Sequence, residues 1–262
     1  MKTIEKTFQI LQLFLTHGDE LSLSDLSRLS GLNKPTTRRI ALSLIKCGLL
    51  RQQKNRGKYS LGMKFIDFSQ AIKKQNQVVE VAEPFMSHLS LEVNETVALA
   101  IWDGRQAVIC QAIHPNHPLK VTAYEGTLSG LYFNSLGKAI LAELPEQDIE
   151  KYIIGEMVAF TPNTITSLND LKKHLMIVRQ EGVAIDEEEG FQGIRGIASV
   201  FKNDLGHIAG AITIIGPTVR LTRERIREFS PIVKDCADKI SRALGYGRKN
   251  NTSPRSHAAL YT

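Results

Sequence analysis

Residues 184–201 read "AIDEEEGFQGIRGIASVF", with Asp186, Glu187, Glu188 and Glu189 in a row before a glycine-rich turn and an apolar run. Four adjacent carboxylates repel one another. They are either a solvated charge run or a polar site that faces a cavity, and for Asp186 the plain alternative is a turn-forming acid at a strand end. Paired carboxylates can serve as general acid and base. Turnover would also need a nucleophile or an orienting base, and the chain has no Gly-x-Ser-x-Gly elbow, no Walker loop and no His-Glu-x-x-His. His114 and His117 in "HPNHP" have a spacing that a metal could use, but the two prolines and the lack of an adjacent carboxylate make this a plain loop. Lys138 in "GKAIL" lacks a preceding glycine-rich loop and so reads as a surface residue at a helix start. No catalytic residue, metal or cofactor is expected, and the protein does not read as an enzyme.

A second chemistry is basic. In "NKPTTRRIALSLIKCG", Lys34, Thr36, Thr37, Arg38 and Arg39 crowd the first two turns of a predicted helix, with Thr37 also on the apolar face beside Ile40, Ala41, Leu44 and Ile45. Asn33 is a good N-cap and Pro35 is tolerated in a first turn. Downstream, "LLRQQ" and "KYSL" read as short strands around a turn that carries Lys54, Arg56 and Lys58. Residues 1–75 hold 14 Lys and Arg against 5 Asp and Glu, whereas the remainder holds 19 against 22. A basic module on a mildly acidic one is predisposed to polyanions, with double-stranded DNA foremost.

The elements that must carry these groups follow from periodicity. Ile4, Phe8, Leu11 and Leu15 have helical spacing, Ser22 can cap a helix over "SLSDLSRLSG", and Gly31 makes a tight turn into the basic helix. Three short helices and a wing predict a winged helix-turn-helix over residues 1–62, whose third helix presents donors to base edges and phosphates. Residues 63–77 read as an amphipathic linker helix or a dimerisation surface. Over residues 78–247, a helix containing Val81, Phe85, Leu89 and Val93 gives way to the strands "TVALAIW", "QAVICQAI" and "LKVTAY". Two helical stretches, a helix capped by Ser167, a hairpin over residues 203–206 and a last helix over 222–245 complete an α+β domain. Along "GAITIIG", Thr213 and Ile215 point to one face and Ile212 and Ile214 to the other. Residues 248–262 read as a disordered tail.

The 262 residues suffice for two domains, and an apolar content of 42% with 23% charge is that of a globular chain. The longest apolar stretch is far below the ~20 residues that span a bilayer. The start "MKTIEKTFQI" has no apolar signal core, and Cys47, Cys110 and Cys236 form neither a metal nor a disulfide pattern. A cytoplasmic, reduced protein without a membrane partner is expected. The residues alone leave two functions open: a ligand-responsive DNA-binding regulator, or a small-molecule-binding protein or enzyme whose basic module binds a protein partner.

The stretches "KPTTRRIALSLIKCGLL", "GKYSLG", "NSLGKAILAEL", "EGVAIDEEEGFQGIRGIASV" and "GAITIIGP", in this order and spacing, resemble the IclR family of bacterial transcription regulators over nearly the whole chain. The resemblance implies a winged-helix DNA reader, a linker helix and a GAF-like domain that binds a small-molecule effector, in homodimers that often pair into homotetramers. It also implies that Asp186 and Glu189 belong to the rim of the effector pocket, with Leu128, Gly130, Ser135, Gly196, Thr213 and Ile215 as further candidates. The chain departs from the family pattern at Ile215, where a second serine is common, at Gly196, where a cysteine is common, and in "SGLYFNS", which brings Tyr132 and Phe133 near the loop. A sugar acid is the expected effector class, with an aromatic acid second.

Overall fold

The computed structural model describes residues 3–53, 57–75, 77–153 and 155–247. The chain divides into two compact units, Met1–Asn76 and Gln77–Thr262.

The first unit begins with α1 (Thr3–Thr16), α2 (Leu23–Ser30) and α3 (Lys34–Lys46), followed by the antiparallel pair β1 (Leu50–Gln52) and β2 (Tyr59–Leu61), and then α4 (Lys64–Gln75). The starts of α2 and α3 have a local cause. Ser22 and Asp25 form a reciprocal capping box, and the Asn33 side chain accepts from the Thr36 amide at 2.9 Å. Leu21 bridges Tyr59, so the wing is tied back to the segment before α2. Ile10, Leu13, Phe14, Leu26, Ile40, Ala41, Leu44, Leu50 and Tyr59 close one small core. On α1 the expected apolar stripe is not the buried one: Ile4, Phe8 and Leu15 are exposed, while Ile10, Leu13 and Phe14 face inward. Helix α4 likewise exposes Ile66, Phe68 and Ile72.

The second unit is a six-stranded antiparallel sheet between two helical layers. Its strands are β3 (Thr96–Trp102), β4 (Ala107–Ile113), β5 (Leu128–Ser129), β6 (Ala184–Glu187), β7 (Ile194–Lys202) and β8 (Ile208–Pro217), in the order β5-β4-β3-β8-β7-β6. On one face α5 (Gln77–Val93) and α8 (Arg223–Ala243) pack over Val97, Leu99, Ile197, Ile212 and Ile214. On the other, α6 (Ser135–Glu143) and α7 (Leu168–Glu181) cover Ala98, Ala100, Ala198 and Ala211. The alternation along β8 thus separates Ile212 and Ile214 from Thr213 and Ile215, as the period of two requires.

The second face is built from small side chains, which lets α6 sit close. A Cβ on Gly137 would lie 2.1 Å from the Gly130 carbonyl oxygen, so only glycine permits this approach. Two sequence expectations are corrected. "LKVTAY" is not a strand: residues 119–124 run without ladder pairing, and the edge strand is the two-residue β5. "EQDIEKYII" holds a 3-10 helix, Glu146–Tyr152, where a plain helical stretch was expected. Lys54, Arg56 and the tail 248–262 lie outside the described residues.

Candidate functional site

The first candidate surface is the outer side of α3. Lys34, Arg38 and Arg39 are exposed and Thr36 is half-buried. With Leu23, Pro35, Leu42, Ser43 and Lys46, the three cations line an open groove of about 690 Å³. Ser43 and Lys46 add polar groups there that helix-start reasoning did not single out, although Lys46 lies on the same helix at the spacing that continues Arg39's face. Lys58 is half-buried at the base of the wing. Thr37 is not on this surface. It is fully buried and its hydroxyl donates back to the Asn33 carbonyl at 3.0 Å, because it lies on the stripe that holds Ile40, Ala41 and Leu44 in the core.

The second candidate is a cavity of about 700 Å³ in the second unit, open between β4, the N-terminus of α6, the loop after β6 and the irregular segment 119–124. Gly130, Ser135, Asp186, Gly196 and Ile215 line it together. Leu128 pairs with Val108 at the sheet edge. Thr213 lies behind the wall: it is fully buried, 3.0 Å from the Ser135 hydroxyl, and donates to the Ile197 carbonyl at 2.9 Å. Much of the remaining wall is apolar, including Ile109, Val121, Phe133, Phe191 and Ile194. The mouth also includes Lys120, an exposed cation whose Nζ is 3.4 Å from the Pro115 carbonyl. A lone lysine in a stretch misread as a strand gave no signal for this place.

The acidic tetrad is neither a solvated run nor four equal rim groups, because each acid has its own partner. Glu187 pairs with Arg195 at 2.6 Å and Arg223 at 3.2 Å. Glu188 turns the chain with φ 62° and accepts from the Gly193 amide at 2.8 Å. Glu189 does not line the cavity. Its carboxylate pairs with Lys138, which is fully buried rather than a surface residue and also donates to the Ile185 carbonyl at 2.6 Å. Thr161 and Thr164 hold the loop through the carbonyls of Glu188 and Glu189, at 2.6 and 2.5 Å.

Asp186 alone points its acid into the cavity lining. It is 7% exposed, and its Oδ1 accepts from the Glu189 amide at 2.7 Å. Burial pushes its carboxyl up to about 6, a rise that the backbone bond and Lys138 only partly offset and that the Glu189 charge reinforces. The site therefore has an acid that changes charge near neutrality, beside the capped N-terminus of α6, where Asn134 accepts from the Gly137 amide at 2.9 Å and first-turn amides favour anions.

Comparison with known proteins places both surfaces in one family. The model for the IclR helix-turn-helix domain matches residues 3–54, and that for the bacterial transcriptional regulator IclR C-terminal region matches residues 70–242. The chain is similar to the HTH-type transcriptional regulator KipR of Bacillus subtilis, with 32% identity over 94% of this chain and 98% of that one. Among solved structures it is similar to an IclR-type regulator from a Silicibacter species, with TM-score 0.82, 22% identity and coverage of 94% and 97%. An IclR homologue from Microbacterium hydrocarbonoxydans, solved in complex with 4-hydroxybenzoate, matches with TM-score 0.78, 19% identity and coverage of 93% and 99%.

The raised Asp186 carboxyl fixes a sign for pH dependence. Its folded-state value lies above the ordinary one, so its contribution is most favourable at low pH and is lost as pH rises towards and through about 6. The gap corresponds to about 3 kcal/mol at most. Asp186→Asn keeps the acceptor for the Glu189 amide and removes the titration. Urea unfolding from pH 4 to 7.5 should show wild type losing up to that amount relative to the variant, most of it between pH 4 and 6.5. A constant difference across the range would mean that Asp186 is as well solvated in the fold as in the unfolded chain.

Proposed function

The chain belongs to the IclR family of DNA-binding transcriptional regulators whose activity an effector modulates, and from that premise we propose that its effector is a small organic carboxylate held in the 700 Å³ cavity. The observation that carries the reading is the combination in that cavity of one titrating acid, one cation and a helix N-terminus on a largely apolar wall. The effector's carboxylate goes to the side of Lys120, Gly130 and the first turn of α6. A hydroxyl or amine goes to Asp186, since an ionised acid repels a carboxylate and accepts from a donor. Glu189 and Thr213 act from behind this wall, by holding Lys138 and Ser135.

The wall favours an aromatic body over a sugar acid. Ser129 donates to Asn134 at 3.1 Å and Ser135 is bonded to Thr213, which leaves Thr122, Tyr124 and Thr127 as the lining hydroxyls to meet a polyol. Burying sugar hydroxyls without partners costs free energy, whereas Ile109, Phe133, Phe191 and Ile215 suit a ring. The Microbacterium homologue with 4-hydroxybenzoate supports the same choice. A thermal-shift screen separates the two classes. Hydroxybenzoates at 100 times Kd should stabilise the chain by about 2.7 kcal/mol through mass action. Stabilisation by hexuronic acids alone would return the sugar-acid reading.

On DNA, Arg38 and Thr36 are assigned to base edges, and Arg39, with Lys34 and the wing cations Lys54, Arg56 and Lys58, to phosphates. The first turns of a recognition helix reach the groove floor, while flanking cations meet the backbone. Arg39→Ala should weaken specific and non-specific duplexes alike and lower the slope of log K against log salt by about one unit. A changed base preference at an unchanged slope would reassign Arg39 to readout.

A homodimer on a two-fold related operator is the assembly we propose, and the exposed apolar residues of α1 and α4 support it. Ile4, Phe8 and Leu15 on α1, and Ile66, Phe68 and Ile72 on α4, are more apolar surface than a small unit keeps in water without use. Sedimentation should show a dimer at micromolar concentration that Phe8→Glu with Ile72→Glu shifts towards monomer. A wild-type monomer, on and off DNA, would refute the assembly.

A further inference from the structure

We propose that the ion pair of Glu95 and Arg220 is a positioning clasp for the effector cavity: it fixes the strap of residues 114–127 as one wall, and so sets how tightly an effector is held without touching it. This rests on the reading of the cavity as the effector site. The strap supplies residues 119–124 and Thr127 to the lining, yet no strand lies between Ile113 and Leu128. A wall without a ladder must be held by other bonds.

Those bonds come mainly from two places. At the junction of α5 and β3, three consecutive residues face the strap or its clasp. Asn94, with φ 51°, is 2.9 Å through Nδ2 from His117 Nε2; Glu95 binds Arg220; and the Thr96 hydroxyl donates to the Val121 carbonyl at 2.5 Å. In the turn between β8 and α8, the Arg220 guanidinium bonds both oxygens of Glu95, at 2.5 and 2.9 Å, and its Nη2 also donates to the Leu119 carbonyl at 2.9 Å. The strap's far end is pinned to β4, where Gly126 and Thr127 exchange bonds with Ile109 at 2.8 and 3.0 Å. Without Arg220, the near end keeps Thr96 and the Asn94–His117 contact but loses the charge-assisted bond to the Leu119 carbonyl.

The chemistry of the pair suits the task. Glu95 is 4% exposed, so its charge stays buried only while paired, and the two-oxygen fork holds the guanidinium plane in one orientation. The Glu95 carboxylate also lies close against β8: a Cβ on Gly216 would be 2.9 Å from its Oε2. Neither Glu95 nor Arg220 lines the 700 Å³ cavity; they line a different cleft of about 270 Å³ with His117 and Arg225. An effect of either residue on ligand binding therefore has to pass through the strap. A lysine at 220 keeps the charge but cannot bind two carboxylate oxygens and a carbonyl in one plane, which separates geometry from charge.

The test uses the full chain, amide hydrogen exchange and equilibrium binding of 8-anilinonaphthalene-1-sulfonate as an aromatic anionic probe. Arg220→Lys should speed exchange of the hydrogen-bonded strap amides, that of Ala123 above all, by about tenfold, with those at the centre of β8 unchanged, since local opening is separable from global unfolding. Probe affinity should fall by about fivefold, because a wall left loose no longer presents its contacts together. Glu95→Gln with Arg220→Met removes both charges, leaves neither one buried and unpaired, and should give the same two changes if the single variant folds poorly. Unchanged strap exchange, or faster strap exchange at unchanged probe affinity, would overturn the clasp. Equal acceleration in β8 would show a merely stabilising pair and also overturn it. A probe that does not bind wild type at this cavity would instead refute the effector-site reading, and with it any role of the clasp in affinity.

Discussion

A fully buried ammonium organises the second unit. Lys138 sits in the first turns of α6 with no exposure, and a charge there persists only if it is paired and hydrogen-bonded. Glu189 supplies the charge and the Ile185 carbonyl a second acceptor, so α6, β6 and the loop after it are fixed relative to one another. The arrangement needs α6 close to the sheet, which the alanines of β3, β7 and β8 permit, and close to the loop after β5, which the glycine at 137 permits. One Glu189 oxygen, Oε2, is buried without a hydrogen-bond partner among the described residues, so the pair is not fully compensated. Fixing the geometry of the loop is its clearest consequence.

That geometry produces the cavity acid. With Glu189 turned towards Lys138, the chain reverses at Glu188 in the left-handed region, and Asp186 is left facing the lining with the Glu189 amide bonded to its Oδ1. Its neighbours then set its proton affinity: burial and the Glu189 charge raise it, and Lys138 lowers it. The buried pair and the functional acid are thus one electrostatic unit.

The two units solve different problems. The first is small, and its core of about ten side chains leaves apolar residues on α1 and α4 outside. Its polar face on α3 is open, as a surface that meets a polyanion must be. The second encloses its chemistry: an apolar wall, a few polar groups and a strap held by side-chain bonds. In that strap His114 accepts from the Ala123 amide at 3.3 Å and His117 meets Asn94, so the "HPNHP" pair takes part in loop structure.

What the sequence determined was local. Capping residues and periodicity placed α2, α3, α6 and α7, because an N-cap or a 3.6-residue stripe depends on neighbours a few positions away. The charge imbalance marked the DNA-binding unit for the same reason, and the family motifs carried Gly130, Ser135, Asp186, Gly196 and Ile215 to the cavity. What only the tertiary structure decided was which of several equivalent residues is buried and with whom. Thr37, on an amphipathic boundary, went inward; the stripe of Ile4, Phe8 and Leu15 went outward. Lys138 looked like any surface lysine until Glu189, 51 positions on, was folded against it. Residues 119–124 had strand composition but no partner strand, since pairing is a property of two segments and not of one. Burial and pairing are set by contacts between residues distant in the chain, and no local pattern encodes them.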